Sequence, residues 1–192
     1  MHYFLLGPRN IGKSTVIRKT LKTLQANAPV AVGGFFTWNG GKEDPHVYMR
    51  AALNEGVGEK CILASYDPEE GGMVSNVQAF EQFGAMLLKG DSFGCSEDSA
   101  LAYGQGKSRR ALIIMDELGF LESSAPVFRQ AVLDTLSGGV PVLGVLRLGD
   151  IPWLEDIKRS PKVSLHYVDE KNRDSLPGYL ARRICAILEG HD

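Results

Sequence analysis

Between positions 7 and 15 the chain reads Gly7-Pro8-Arg9-Asn10-Ile11-Gly12-Lys13-Ser14-Thr15. Glycine, four residues, glycine, lysine and a hydroxyl is the spacing that cradles a polyphosphate. Glycine at 7 and 12 lets the backbone turn so that the N–H groups from Asn10 to Thr15 converge on phosphate oxygens, with no Cβ in the way. Lys13 supplies a point charge for the β- and γ-phosphates, and the Ser14 hydroxyl is of the type that ligates Mg²⁺. A second reactive group follows the apolar run Ala111-Leu112-Ile113-Ile114-Met115, which ends in Asp116-Glu117. A strand ending in two acids delivers both carboxylates to the carboxyl edge of a sheet, where open α/β sheets bind ligands. Asp116 is then placed to hold the Mg²⁺ shell through water, and Glu117 to polarise a water opposite the γ-phosphate. An Asp-Glu pair favours hydrolysis over transfer to an acceptor.

The elements that must position these groups are visible in the apolar pattern. Tyr3 to Leu6 is a short strand-like run before the loop, and Val16, Ile17, Leu21 and Leu24 recur at helical spacing after it. The dipole of that helix then points its positive end at the same anion. Ala31 to Trp38 reads as a strand that pairs with Val47 to Leu53 as a hairpin across Asn39-Gly40-Gly41. Cys61 to Ala64 is a further strand. Val77, Phe80, Phe83, Ala85, Met86 and Leu87 indicate a helix interrupted by Gly84, and Asp91 to Arg110 reads as a polar, glycine-rich loop. In the second half, Val127 to Leu136 is a helix stopped by Gly138-Gly139. Val140 to Leu146 is a buried strand, Ile151 to Ile157 a short helix, Val163 to Val168 a strand, and Leu176 to Leu188 a closing helix. Strands with near-continuous apolar interiors, separated by helices, predict a mostly parallel α/β sheet covered on both faces, with an edge hairpin.

Composition narrows the function classes. The 192 residues are 44% hydrophobic and 23% charged, with 21 Lys+Arg against 23 Asp+Glu and a formal charge of -2, so the basic footprint of a nucleic-acid-coating protein is missing. No apolar run nears the ~20 residues of a membrane span. Gly7-Pro8 halts the opening run too early for a secretory signal. Cys61, Cys95 and Cys185 are odd in number and widely spaced, which suits free thiols in a reducing, cytoplasmic setting. Residues 1–192 read as one domain, since this length supports one sizeable core.

At this point the sequence resembles the small P-loop nucleoside-triphosphatases of the thermophile-phosphatase (THEP) type, a family that includes the cancer-related nucleoside-triphosphatase of animals. Besides the phosphate loop, Val32-Gly33-Gly34-Phe35-Phe36-Thr37 is similar to the family's glycine-phenylalanine-threonine strand, and Asp116-Glu117-Leu118-Gly119-Phe120-Leu121-Glu122 to its Asp-Glu-Ile-Gly-Lys-Met-Glu signature. Phe128-Arg129-Gln130-Ala131-Val132, Pro141-Val142-Leu143-Gly144 and Asn172-Arg173-Asp174, with Leu176-Pro177-Gly178 after it, follow in family order. The resemblance implies a RecA-like three-layer fold and slow, Mg²⁺-dependent hydrolysis of ATP, GTP and other nucleoside triphosphates to diphosphate and phosphate. Two departures mark a divergent member. The family's lysine is Phe120 here, and Trp38-Asn39-Gly40 replaces an acidic-valine-arginine step, so the resemblance implies lower basal turnover and a branch open to stimulation by a protein partner.

Several residues carry two readings. Arg173 either stacks on or approaches the nucleotide, or it is exposed while Asn172 and Asp174 cap the final helix. Arg147 follows a buried strand and either supplies charge to the transferring phosphoryl group or is an ordinary strand-end residue. Glu122 reads as an early-helix carboxylate complementing a dipole, and Trp38 as hairpin packing rather than a lid on the base. His2, His46, His166 and His191 show no metal-ligand spacing. Gly106-Lys107-Ser108 imitates the end of the phosphate loop, but Leu101 stands where the first glycine is needed, so it reads as a solvated turn. Two rival functions use the same loop. A nucleoside or nucleotide kinase would need a lid, for which Asp91 to Arg110 is the candidate, and a nucleotide-gated protein-binding module would bind tightly and hydrolyse negligibly.

Overall fold

A computed structural model describes residues 1–52, 59–89 and 110–190. The expected loop over 91–109, the Gly106-Lys107-Ser108 turn, the candidate lid arginine Arg109, Leu53, Cys95 and His191 therefore lie outside the described residues.

Eight strands form one sheet in the order β5-β4-β3-β2-β6-β7-β1-β8. They are β1 (His2–Leu6), β2 (Ala31–Asn39), β3 (His46–Ala51), β4 (Lys60–Asp67), β5 (Gly72–Ser75), β6 (Ala111–Leu118), β7 (Val142–Leu146) and β8 (Val163–Tyr167). From β2 to β8 every neighbouring pair is parallel, and from β2 to β5 every pair is antiparallel. The expected hairpin forms as β2–β3. It is not the rim of the sheet, however, because β4 and β5 continue the meander beyond it. β5 has four residues and no apolar run, which is why the letters do not announce it.

Side-chain alternation sorts the core into two layers. On β1, Tyr3 and Leu5 face one layer and Phe4 the other; on β6, Leu112 and Ile114 separate in the same way from Ile113 and Met115. The first layer packs under α1 (Lys13–Asn27) and α5 (Leu176–Leu188), through Val16, Ile17, Leu21, Leu180 and Ile184. The second lies under α3 (Pro126–Ser137) and α4 (Pro152–Arg159), together with a helical run over 77–88 that we call α2. Helices on both faces of a mostly parallel sheet make the three-layer arrangement expected. α2 is not a regular helix: Phe80–Gly84 forms a π-turn between short α segments. Gly84 sits against α3 there, and a Cβ on it would come 2.9 Å from the Phe128 ring. Among the described residues no helix is long and apolar enough to cross a membrane.

Parallel register brings the carboxyl ends into line. Phe36 pairs with Asp116, Met115 with Gly144, and Leu5 of β1 with Val145 of β7. The residues that leave β1, β2, β6 and β7 therefore emerge along one edge of the sheet. On β6, Met115 to Leu118 spans three steps opposite the two from Gly144 to Leu146, so one extra residue is accommodated at Asp116-Glu117. Such a bulge re-aims side chains at the end of a strand.

Gly34 shows how tightly this edge is built. Its φ is +85°, and a Cβ there would lie 2.0 Å from the Ile114 carbonyl oxygen on β6. Gly34→Ala is expected to cost about 3 kcal/mol or more, lowering Tm by roughly 6–12 °C for a chain of this size. Gly139→Ala, where a Cβ meets nothing within 4 Å, should change Tm little. Thermal melts of the two variants check the contrast.

Candidate functional site

The phosphate loop leaves β1 at Leu6 and enters α1 at Lys13. Three residues in it have positive φ: Gly7 (148°), Asn10 (63°) and Gly12 (108°). A Cβ at Gly7 would meet the Val168 carbonyl oxygen at 2.6 Å, so glycine is required there by space as well as by conformation. Asn10 is one of the few non-glycine types that accept the left-handed region readily. At the start of α1 the capping position is Gly12, which has no side chain to accept a hydrogen bond, and the first turn contains no acid. Val16 N–H closes on Gly12 O at 2.9 Å. The Ile11 N–H closes on Pro8 O at 3.4 Å, and the first N–H groups of α1 have no intrahelical partner, which is what an anion at a helix N-terminus uses.

Lys13 is buried, and its Nζ donates to the carbonyls of Gly7 (2.9 Å) and Pro8 (2.8 Å). The ammonium is thus held over the mouth of the loop by the loop itself. Burial lowers its pKa from the usual lysine range, opposed by the charges of Glu117 and Asp116 and reinforced by Arg147.

Asp116 lies at the buried end of β6, 2% exposed. Burial pushes its pKa up to about 6, against a hydrogen bond from Ser14 that pulls it down, while Glu117 raises it and Arg18 and Lys13 lower it. Its Oδ2 is buried with no hydrogen-bond partner. A buried carboxylate oxygen with an unmet acceptor, beside a serine hydroxyl, is a donor set that suits a hard, hydrated cation such as Mg²⁺. Among the described residues no three His, Cys, Asp or Glu side chains gather as an all-protein metal cage. Mg²⁺ bound with substrate phosphates requires no such cage.

Glu117 stands beside Asp116, and its N–H donates to Thr37 Oγ1 on β2 at 3.1 Å. Its carboxylate reaches Arg147 at 3.7 Å. These groups line one cavity of about 790 Å³, with Gly7, Pro8, Arg9, Asn10, Gly12, Lys13, Ser14 and Thr15 on one wall and Asp116, Glu117, Phe120 and Glu122 on the other. Trp38 and Asn39 border it from β2.

The structure thus brings together the loop and the acid pair, as their spacing required. Ile11 contributes only backbone, since its side chain packs into the layer under α1. Arg173 does not line the cavity. It is exposed on the turn after Val168, where its N–H closes on Asp169 O. Asn172 and Asp174 do not cap α5 either. Asn172 clasps its own turn through Asp169 N–H and Tyr167 O, Asp174 pairs with Lys19, and the helix has no side-chain cap. Trp38 stacks on Tyr48 (5.4 Å between centroids, 21° between planes), with the Arg50 guanidinium on the Trp38 ring, so packing governs it. The described histidines are engaged away from the cavity: His2 with Leu136 O, His46 with Ser65 and His166 with Ser164.

Two neighbours of the site escape sequence reasoning. Arg18 lies one helical turn beyond Ser14 on α1 and faces the cavity from above the Phe36 ring; the i, i+4 spacing from Ser14 is the available signal. Thr37 arrives by strand register, which no local pattern encodes. Arg147, for which the sequence left two readings, lines the cavity beside Glu117.

With the cavity in view, relatives become informative. The profile described as NTPase matches residues 2–181. The chain belongs to this NTPase family. It is similar to the cancer-related nucleoside-triphosphatase homolog of Mus musculus, with 28% identity over 190 residues covering 91% of this chain and 92% of that one. Against the nucleoside-triphosphatase THEP1 of Methanosarcina barkeri the identity is 30% over 181 residues, covering 92% and 93%. Among solved structures, THEP1 from Aquifex aeolicus superposes with a TM-score of 0.72 at 24% identity over 96% of this chain and 99% of that one, a likeness of fold. The solution structure of a human cancer-related nucleoside triphosphatase gives 0.70 at 26% identity, over 95% and 96%.

Glu122 stands in the first turn of a 3-10 helix (Leu121–Ser124), the early-helix position expected of it. What the sequence does not give is its burial: the carboxyl is 3% exposed and accepts the Gly119 N–H at 2.9 Å. Burial pushes its pKa up to about 7; its own and the Gly119 N–H pull it down, Glu117 raises it, and Arg147 lowers it. The unfolded chain loses this proton near 4.5 while the folded chain keeps it to about 7. The group's contribution is therefore full below 4.5 and lost as pH rises through 7. Glu122→Gln should match the parent near pH 4.5 and exceed it by on the order of 3 kcal/mol near pH 8. Melts across that range check it; a pH-independent difference would contradict the assignment.

Proposed function

We propose that this site binds a nucleoside triphosphate together with Mg²⁺ and hydrolyses its β–γ bond, giving diphosphate and phosphate. The observation that carries the reading is the shared cavity of the uncapped α1 N-terminus, Lys13, and the Asp116-Glu117 pair, in a chain of the NTPase family. The named activities of its relatives support it.

In this reading the N–H groups from Asn10 to Thr15 and Lys13 bind the phosphates. Lys13 exchanges its two carbonyl partners for β- and γ-phosphate oxygens. Ser14 and Asp116 would hold Mg²⁺, which when bound would offset charge on the phosphates. A nearby cation also favours the ionised form of Asp116, which burial alone disfavours. Glu117, steadied by Thr37, orients a water in line with the γ-phosphorus and accepts its proton. The exposed turn carrying Arg173 follows Val168, which packs against Gly7, and we assign that turn to the base side of the nucleotide. Cys61 and Cys185 are free thiols, which supports a reducing, cytoplasmic setting. We infer that residues 1–192 act as one catalytic domain, without nucleic acid or membrane.

Lys13→Ala should abolish nucleotide binding or nearly so. Glu117→Gln should bind within a few-fold of the parent and release phosphate about 10²–10³-fold more slowly. Phosphate release from ATP, GTP, CTP and UTP, with and without Mg²⁺ and with no acceptor added, measures turnover, and nucleotide titration measures affinity. Tight binding with no release from the parent would make the chain a nucleotide-gated module, and release only with an added acceptor would make it a kinase.

A further inference from the structure

The carboxyl edge holds a cation that the phosphate loop does not supply. β7 lies between β1, which carries the loop, and β6, which carries the acid pair. Arg147 is the residue that leaves β7, so its position is midway along the edge between cradle and acids. Four contacts fix it there. Its N–H donates to Leu118 O at 2.9 Å, continuing the ladder past the bulge. Its aliphatic stem crosses Gly119, where a Cβ would come 3.2 Å from Arg147 Cδ. The guanidinium lies 4.7 Å above the centroid of Phe120, and Nη1 is 3.7 Å from Glu117 Oε1.

Phe120 stands where the resemblance noted above implies a lysine, and its ring carries the Arg147 guanidinium on its face. The attachment to Glu117 is loose: at 3.7 Å, with the two side chains 44% and 33% exposed, it is a weak contact. The stem and ring, by contrast, hold the guanidinium within the cavity that Lys13 and Glu117 also line. A planar donor fork on an aromatic platform, only lightly held by a carboxylate, is suited to meet a phosphoryl group.

We propose that Arg147 is a catalytic residue, and that its guanidinium turns from Glu117 to the γ-phosphoryl oxygens when the triphosphate is bound, with Phe120 as its platform. This rests on the hydrolytic reading above. The water oxygen bonds to the γ-phosphorus as the bond from that phosphorus to the β–γ bridging oxygen breaks. The electron pair leaves on the diphosphate, and the water proton passes to Glu117 and then to solvent or product phosphate. Arg147 neither gains nor loses a proton; it stabilises charge on the equatorial oxygens, opposite Lys13. Its departure also frees the Glu117 carboxylate for the water.

The test uses the full chain and Mg²⁺-ATP. Arg147→Ala should lower kcat about 10²–10³-fold with nucleotide affinity and KM changed only a few-fold. Guanidinium chloride at sub-denaturing concentration should restore part of the lost turnover in that variant and not in the parent. Introducing Phe120→Lys into Arg147→Ala should also recover activity, and Phe120→Ala alone should lower kcat several-fold. Arg147→Gln, judged by the same criteria, stands in if Arg147→Ala does not fold. A kcat within about threefold of the parent overturns the proposal while leaving hydrolysis intact. Loss of kcat without guanidinium rescue also overturns it, leaving Arg147 as structural support. A parent that releases no phosphate with Mg²⁺ overturns the hydrolytic reading and this proposal with it.

Discussion

The structure turns on a deficit of acceptors at the start of α1. A helix beginning at Lys13 must leave its first N–H groups without intrahelical partners. Most helices meet that need with a Ser, Thr, Asp or Asn side chain; here Gly12 offers none. The surrounding elements keep the deficit in place. Gly7 passes under the Val168 carbonyl with no room for a Cβ, and Val168 N–H is itself tied to Leu6 O at 2.7 Å. The loop is thereby locked between β1 and the end of β8, and no capping side chain takes up the first N–H groups of α1.

Around that fixed donor set the carboxyl edge alternates charge. Lys13 and Arg18 come from α1, Asp116 and Glu117 from β6, and Arg147 from β7. Asp116 is the buried member and Glu117 the half-exposed one, so burial raises the pKa of Asp116 as the Ser14 hydroxyl holds it down. One strand end thus presents two carboxylates in different surroundings, which is how a pair of like groups takes two roles. The extra residue in β6 opposite β7 is what lets Asp116 and Glu117 occupy the same edge while Met115 and Leu118 both stay in the layer under α3.

Much of this was legible in the letters, for a physical reason. The phosphate loop and the acid pair are local: each is a few consecutive residues whose spacing follows from backbone geometry and the length of a strand. The alternation of strands and helices likewise follows from burial on both faces of a sheet. What stayed hidden depends on residues distant in sequence. Thr37 meets Glu117 only because Phe36 pairs with Asp116, and Arg147, open to two readings in the letters, reaches Glu117 only because β7 lies beside β6. Glu122 reads as an early-helix carboxylate, but nothing in the letters shows that the 3-10 turn buries it against Gly119. β5 has too few apolar residues to mark itself, and the close approach of Gly84 to Phe128 of α3 exists only in the folded chain.

The two carbonyls that Lys13 grips give the loop a built-in threshold. An incoming anion must replace both hydrogen bonds, on Gly7 and Pro8, before the ammonium is released to it. A single orthophosphate has one tetrahedron with which to satisfy both the helix donors and the lysine, whereas a chain of phosphates meets them with separate groups. On the proposed reading the cradle therefore favours a chain of phosphates over a single one.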